Sequence, residues 1–220
     1  DQEYTTLMQT IALIDYGAGN IPSAARALEV AVERSGTSSQ LIVTNDPETV
    51  RTADRLVIPG VGHFRDCRQG VDSVPGLFET IHEAVHKKAR PALGICVGMQ
   101  LMADVGLEDG ETAGFGWIPG KVDHIPVKPG LPVPHMGWNE LDLHQSHPVL
   151  DGIETGDHAY FVHSYHFICK TDENLMLTTD YGAPITAAIA KDNLFGTQFH
   201  PELSQETGLR LLTNWINWTP

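Results

Sequence analysis

The chain has 220 residues, 41% hydrophobic and 19% charged, a balance that supports one large domain with a buried core and excludes disorder. Fourteen Lys and Arg stand against 28 Asp and Glu, and the formal charge of −14 opposes binding to phosphate backbones or anionic membranes. Cys67, Cys96 and Cys169 are too few and too scattered for a disulfide framework, which points to a reducing cytoplasm, and no apolar run is long enough to span a bilayer.

Asp1 to Thr10 lacks a basic start and an apolar core, so it is no secretory signal and reads as an extension ahead of the first strand. Residues 11–220 then read as a single domain. Ile11 to Tyr16 is nearly continuous in apolar character, as expected of a strand buried on both faces. Gly17-Ala18-Gly19-Asn20 breaks it. A helix follows, with Pro22 in its first turn, Ala24, Ala27, Leu28 and Ala31 on one face, and Gly36 as its stop. Leu41–Thr44 and Leu56–Ile58 are the next strands. Leu77 to Arg90 is predicted helical, with Leu77, Phe78, Ile81, Ala84 and Val85 on one side. Pro91 ends it, and Ala92–Ile95 begins a fourth strand. This alternation implies a parallel sheet with helices on both faces.

The later half reads differently. Strands are expected at Val122–Val127, His158–Cys169, Ile185–Ala190 and Leu194–Phe199, the last two joined as a hairpin through Lys191-Asp192-Asn193. A closing helix is expected from about Gln205 to Trp218, with Ser204 as its N-cap.

Chemistry concentrates at Leu93-Gly94-Ile95-Cys96-Val97-Gly98-Met99-Gln100. A strand runs into a cysteine flanked by glycines, and a helical pattern through Leu101, Met102 and Val105 follows. This is the layout of a nucleophile elbow. A thiol at a helix N-terminus meets unpaired N–H groups that stabilise a thiolate, and the Val97 N–H points toward an oxyanion at the attacked carbonyl. Read by itself, Cys96 fits equally well as a small buried hydrophobe. Cys67 and Cys169 have no such context and read as structural.

A cysteine nucleophile needs a base, and the base an orienting partner. His200-Pro201-Glu202 lies just past the strand Gly196–Phe199, where a parallel sheet places active-site loops. Proline stiffens the link between imidazole and carboxylate. On its own, His-Pro-Glu is as well explained by a strand-end turn.

Taken together, Gly-Ile-Cys-x-Gly-x-Gln and His-Pro-Glu resemble the class I, triad-type glutamine amidotransferases. Asp15–Asn20, Pro59-Gly60-Val61-Gly62, His135–Asn139 and Tyr160–Tyr165 are similar to motifs of one group within it, the glutaminase subunits of imidazole glycerol phosphate synthase. The resemblance runs from Ile11 to Trp218. It implies a three-layer, flavodoxin-like α/β fold with a mostly parallel central sheet and helices on both faces. It also implies no cofactor, and glutamine hydrolysis by Cys96, His200 and Glu202 through a glutamyl thioester. Val97 and the Gly60-Val61-Gly62 loop would receive the oxyanion, and Gln100 with the backbone around Ser164 and Tyr165 would hold the amino-acid end of glutamine. The ammonia would pass to a (βα)8-barrel cyclase subunit, bound as a heterodimer through Asn20, Trp138, Tyr160 and position 203. That position is commonly lysine in the family and pairs with a cyclase aspartate; here it is Leu203.

Three rival readings follow from the same residues. One is a glutaminase serving anthranilate, carbamoyl phosphate, guanylate or pyridoxal phosphate synthesis, against which the Asp-Tyr-Gly-x-Gly-Asn and Met-Gly-Trp-Asn motifs count. Another, a non-catalytic binding relative, is disfavoured by the complete triad. The third is a zinc peptidase, since His82-Glu83-Ala84-Val85-His86 matches His-Glu-x-x-His. The buried stripe of that helix leaves both histidines toward its polar side, and Glu83 is spaced for an ion pair with Lys87.

Overall fold

The computed structural model describes residues 7–220. The first half alternates strand and helix: β1 (Gln9–Ile14), α1 (Ile21–Ser35), β2 (Ser39–Thr44), α2 (Pro47–Thr52), β3 (Arg55–Ile58), α3 (Phe64–Asp72), α4 (Leu77–His86), β4 (Ala92–Ile95) and α5 (Val97–Gln100). Ile11 to Ile14 are fully buried, as are Leu56, Val57 and Ile58, so the apolar runs are covered on both faces. In α1 the apolar residues at i, i+3, i+4 and i+7 are the buried ones, and Gly36 ends the helix at φ 69°. Burying a side chain such as Leu28 contributes roughly 1.5–3 kcal/mol.

The second half is built from short strands: β5 (Val105–Gly106), β6 (Thr112–Ala113), β7 (Gly120–His124), β8 (His135–Glu140), β9 (Asp142–Leu143), β10 (His158–His163), β11 (Tyr165–Cys169), β12 (Leu175–Asp180), β13 (Pro184–Lys191) and β14 (Leu194–Thr197), closed by α6 (Gln205–Asn217). The main sheet has eight strands in the order β2-β1-β3-β4-β14-β13-β12-β9. Pairings from β2 through β14 are parallel and those beyond are antiparallel. The parallel portion has the flavodoxin-like order, which places ligands outside the carboxyl ends of its strands. Helix α1 packs on α6, and α4 meets both α2 and α3.

Several expectations are corrected. Gln9 and Thr10 belong to β1, pairing with Ser39 and Gln40; the remainder of the expected extension, residues 1–6, lies outside the described residues. The expected strand His158–Cys169 is two strands broken at Ser164, with β10 paired to β8 and β11 to β7. The expected strand Val122–Val127 is β7, which ends at His124. Helix α4 stops at His86 because Ala89 turns left-handed at φ 51°, and the distant Asn193 side chain donates to the carbonyls of Val85 and Arg90. Ser204 stands at the N-cap position of α6 but makes no capping bond. Its hydroxyl donates to the His200 carbonyl at 2.6 Å and accepts from the Tyr160 N–H at 3.0 Å.

Candidate active site

Four loops meet at the carboxyl edge of the parallel strands: those after β1, β3, β4 and β14. Cys96 follows β4 at φ 56° and ψ −115°, a left-handed conformation that costs a non-glycine residue energy and turns its side chain out of the sheet. The neighbouring glycines are required by contact. A Cβ on Gly98 would lie 1.9 Å from the Ile58 carbonyl oxygen, and one on Gly60 would lie 2.6 Å from the Gly98 nitrogen. The elbow and the β3 loop are therefore packed backbone to backbone.

The helix after Cys96 is shorter than the sequence pattern suggests. It ends at Gln100, and Val105 lies in β5. One turn gives little helix dipole, so the charge that can hold a Cys96 thiolate must come from elsewhere, and His200 supplies it.

His200 Nδ1 lies 2.6 Å from Glu202 Oε1, with the two side chains 3% and 2% exposed. A carboxylate only accepts, so the proton sits on Nδ1. His200 Nε2 is buried with no hydrogen-bond partner among the described residues. Burial opposes a charge on His200, but the Cys96 sulfur and Glu202 together outweigh it and raise the imidazole pKa to about 10. The Cys96 sulfur and Glu202 thus favour the protonated imidazole of His200. Its backbone is fixed as well: the His200 N–H donates to the Tyr160 carbonyl at 3.0 Å.

These groups open on a cavity of about 450 Å3, whose walls include Cys96, Val97, Gln100, Ser164, Tyr165 and His200, along with Val61 and Gly62. Gln100 is 3% exposed and donates to the Tyr165 carbonyl at 3.2 Å and to Gln198 Oε1 at 3.0 Å. Gln198, which the sequence reading passed over, points its amide at Cys96 Sγ across 3.6 Å. Its position two residues before His200 was the available signal, because alternate residues of an extended chain share a face. Glu108 and His63 also line the cavity without any local sequence signature.

The β3 loop is held in a particular state. The Val97 N–H donates to the Gly60 carbonyl at 3.2 Å. On either side, the Tyr16 hydroxyl donates to the Pro59 carbonyl, and the Cys67 thiol donates to the Val61 carbonyl at 3.3 Å. The same short edge carries the apolar residues expected to face a partner. Tyr160 and Trp138 are paired across β10 and β8 with ring centroids 5.9 Å apart at 75°, and Trp138 is 48% exposed. Leu203 is exposed directly after Glu202, and Asn20 is half-buried at the start of α1.

His82 and His86 lie elsewhere, stacked at 4.3 Å on the exposed side of α4. His82 Nδ1 accepts from the Trp117 indole at 3.1 Å. Among the described residues no group of three His, Cys, Asp or Glu side chains gathers around them, and Glu83 makes no ion pair with Lys87.

A buried Cys-His-Glu set at a strand-to-helix elbow of an α/β sheet is the side-chain arrangement that thiol-based hydrolysis calls for. The chain belongs to the glutamine amidotransferase class-I family, whose signature matches residues 12–218. It is 54% identical over 209 residues to the imidazole glycerol phosphate synthase subunit HisH of Cereibacter sphaeroides, covering 94% of this chain and 98% of that one. It is 50% identical over 214 residues to the HisH subunit of Mesorhizobium japonicum, covering 96% and 99%. Among solved structures, a glutamine amidotransferase of Methylobacillus flagellatus has the same fold, with a TM-score of 0.60 at 15% identity over 95% of this chain and 94% of that one.

Proposed function

We propose that Cys96, His200 and Glu202 hydrolyse glutamine, and that the ammonia passes to a cyclase subunit docked over the Trp138–Tyr160 edge. The chain is the glutamine amidotransferase subunit of imidazole glycerol phosphate synthase, serving histidine biosynthesis. The observation that carries the mechanism is the 2.6 Å buried contact of His200 with Glu202, coupled to Cys96 at its strained elbow.

The Cys96 thiolate attacks the side-chain amide carbon of glutamine, and the carbonyl π electrons move to oxygen. As the tetrahedral intermediate collapses, the imidazolium Nε2–H protonates the leaving nitrogen, which departs as ammonia, and a glutamyl thioester remains. Neutral His200 then takes a proton from water, whose oxygen attacks the thioester. Collapse returns the thiolate and releases glutamate. Glu202 holds the proton on Nδ1 throughout, so Nε2 is always the nitrogen that exchanges. Gln100, whose amide hydrogens are committed to Tyr165 and Gln198, has its carbonyl oxygen available for the substrate's amino-acid end. Ser164 and Tyr165 supply backbone groups on the same wall.

A partner in the form of a (βα)8-barrel cyclase, joined as a heterodimer through Asn20, Trp138, Tyr160 and Leu203, fits the exposed aromatic edge beside the triad. The test is Cys96→Ala in the complex. Glutamine-dependent turnover should vanish while ammonia-dependent cyclase turnover persists. Retained glutamine-dependent turnover would overturn the assignment.

A further inference from the structure

Two buried histidines outside the triad connect β8 to the cavity wall. His135 and His163 are paired in register across the β8–β10 ladder and are 3% and 6% exposed. His163 Nδ1 lies 2.8 Å from the Tyr165 carbonyl oxygen, and His135 Nδ1 lies 2.9 Å from His163 Nε2. Asn139 Nδ2 lies 3.2 Å from His135 Nε2 and 2.8 Å from the Asp180 carbonyl oxygen. Asn139 Oδ1 accepts from the Glu140 N–H at 2.8 Å.

These contacts fix every proton along the line. A carbonyl can only accept, so His163 carries its proton on Nδ1 and presents a bare Nε2. That bare nitrogen requires a donor, so His135 is protonated on Nδ1 and its own Nε2 is bare. The Asn139 amide supplies the matching donor, and its orientation is set independently by Glu140 and Asp180. A second proton on either ring would leave one N–H facing another. Burial pushes the His163 pKa down to about 3 and the His135 pKa down to about 4, so both rings are neutral at physiological pH.

The line ends on a carbonyl that the site uses. Tyr165 O also accepts from Gln100, which donates to Gln198, whose amide meets Cys96 Sγ. We propose that His135 and His163 are positioning residues, a directed pair of neutral imidazoles that ties the Tyr165 carbonyl and the Gln100 amide to the β8 edge carrying Trp138. The assignment rests on the glutaminase reading above. Displacement of β8 by a docked partner then moves the wall that receives the amino-acid end of glutamine, through bonds that cannot reverse direction without creating a clash.

Nitrogen-15 spectra of the imidazoles test the proton placement without reference to activity. Both His135 and His163 should show protonated Nδ1 and bare Nε2, unchanged across neutral pH. An Nε2–H tautomer in either ring, or titration near pH 6.5, would overturn the proposal. The kinetic test uses the complex with the cyclase. His135→Phe keeps the ring that lies 4.8 Å from Phe161 and 4.2 Å from Tyr181 but removes both hydrogen bonds. Asn139→Leu leaves both imidazoles in place, removes the outer donor of the line together with the Asn139 bonds to Asp180 and Glu140, and carries the test if His135→Phe fails to fold. Either variant should raise the KM for glutamine by about tenfold, with kcat within about threefold of native and ammonia-dependent turnover unaltered. Unchanged KM in the folded variants would overturn it. A native complex with no glutamine turnover would instead sink the glutaminase reading and leave the tautomer result standing.

Discussion

The Val97 amide donates to the Gly60 carbonyl at 3.2 Å, so the N–H best placed to receive an oxyanion beside Cys96 is already bonded. Rotation of the Gly60–Val61 peptide would release that donor and swing the Val61 N–H toward the site. Gly60 and Gly62, the latter at φ 87°, permit such a rotation, while the Tyr16 and Cys67 contacts hold the peptides on either side. The free energy for the switch must come from contacts made only by the partner.

Isolated chain should therefore hydrolyse glutamine poorly, and adding the cyclase with its ligand should raise the rate by roughly 10²–10³-fold, the effect of an oxyanion donor. Steady-state glutamate release, with and without the partner, measures this. Full turnover by the chain alone would contradict it.

Glu202→Gln tests the orienting carboxylate. His200 stands near a pKa of about 10, above the ordinary histidine value, with the Cys96 sulfur and Glu202 offsetting its burial. A raised native pKa contributes stability that is fully present below about pH 6.5 and is lost as pH rises through the native value. The substitution removes one of the two groups holding the proton, so His200 should titrate at lower pH and the stability it contributes should fade earlier. Glutamine turnover should fall by roughly 10²–10⁴-fold, with ammonia-dependent turnover intact. A pH–stability profile identical to native would argue against the coupling.

Much of this arrangement was legible because it is local. Continuous apolar runs announced β1, β3 and β4; Cys96 stands directly past β4, and His200 and Glu202 stand a few residues past β14. What escaped depends on distant partners. His158 to Cys169 is uniformly strand-like, and only pairing with β8 on one side and β7 on the other breaks it at Ser164. The end of α4 is set by Asn193, more than a hundred residues away. The contact of His135 with His163 spans 28 residues and follows from strand register, which no short motif encodes.

His82 and His86 should be dispensable for glutamine hydrolysis. The Trp117 indole occupies His82 Nδ1, and the His86 ring stacks on it. Changing both to Gln should leave glutamine turnover unaltered and cost at most about 1 kcal/mol of stability through the lost indole bond. Metal analysis should find no stoichiometric zinc in the native chain. One tightly held zinc per chain, absent from the double variant, would revive the peptidase reading.

Leu203 stands directly after Glu202, where the family commonly carries a lysine facing a cyclase aspartate. Leu203 is 37% exposed and cannot form that ion pair. An aspartate buried against it without a partner would be costly, so the cognate cyclase is expected to have lost the acid or to keep it hydrated. Docking then depends more on the aromatic edge, where Trp138 is 48% exposed with its ring set edge-on to Tyr160. A large aromatic that becomes buried on association is a typical hot spot, so Trp138→Ala should weaken the complex by about 2 kcal/mol or more. Leu203→Lys should change affinity little, because a cation placed there meets no buried acid. Titration calorimetry with the cognate cyclase separates the cases. A large gain for Leu203→Lys together with a neutral Trp138→Ala would place the docking energy at the Leu203 position instead.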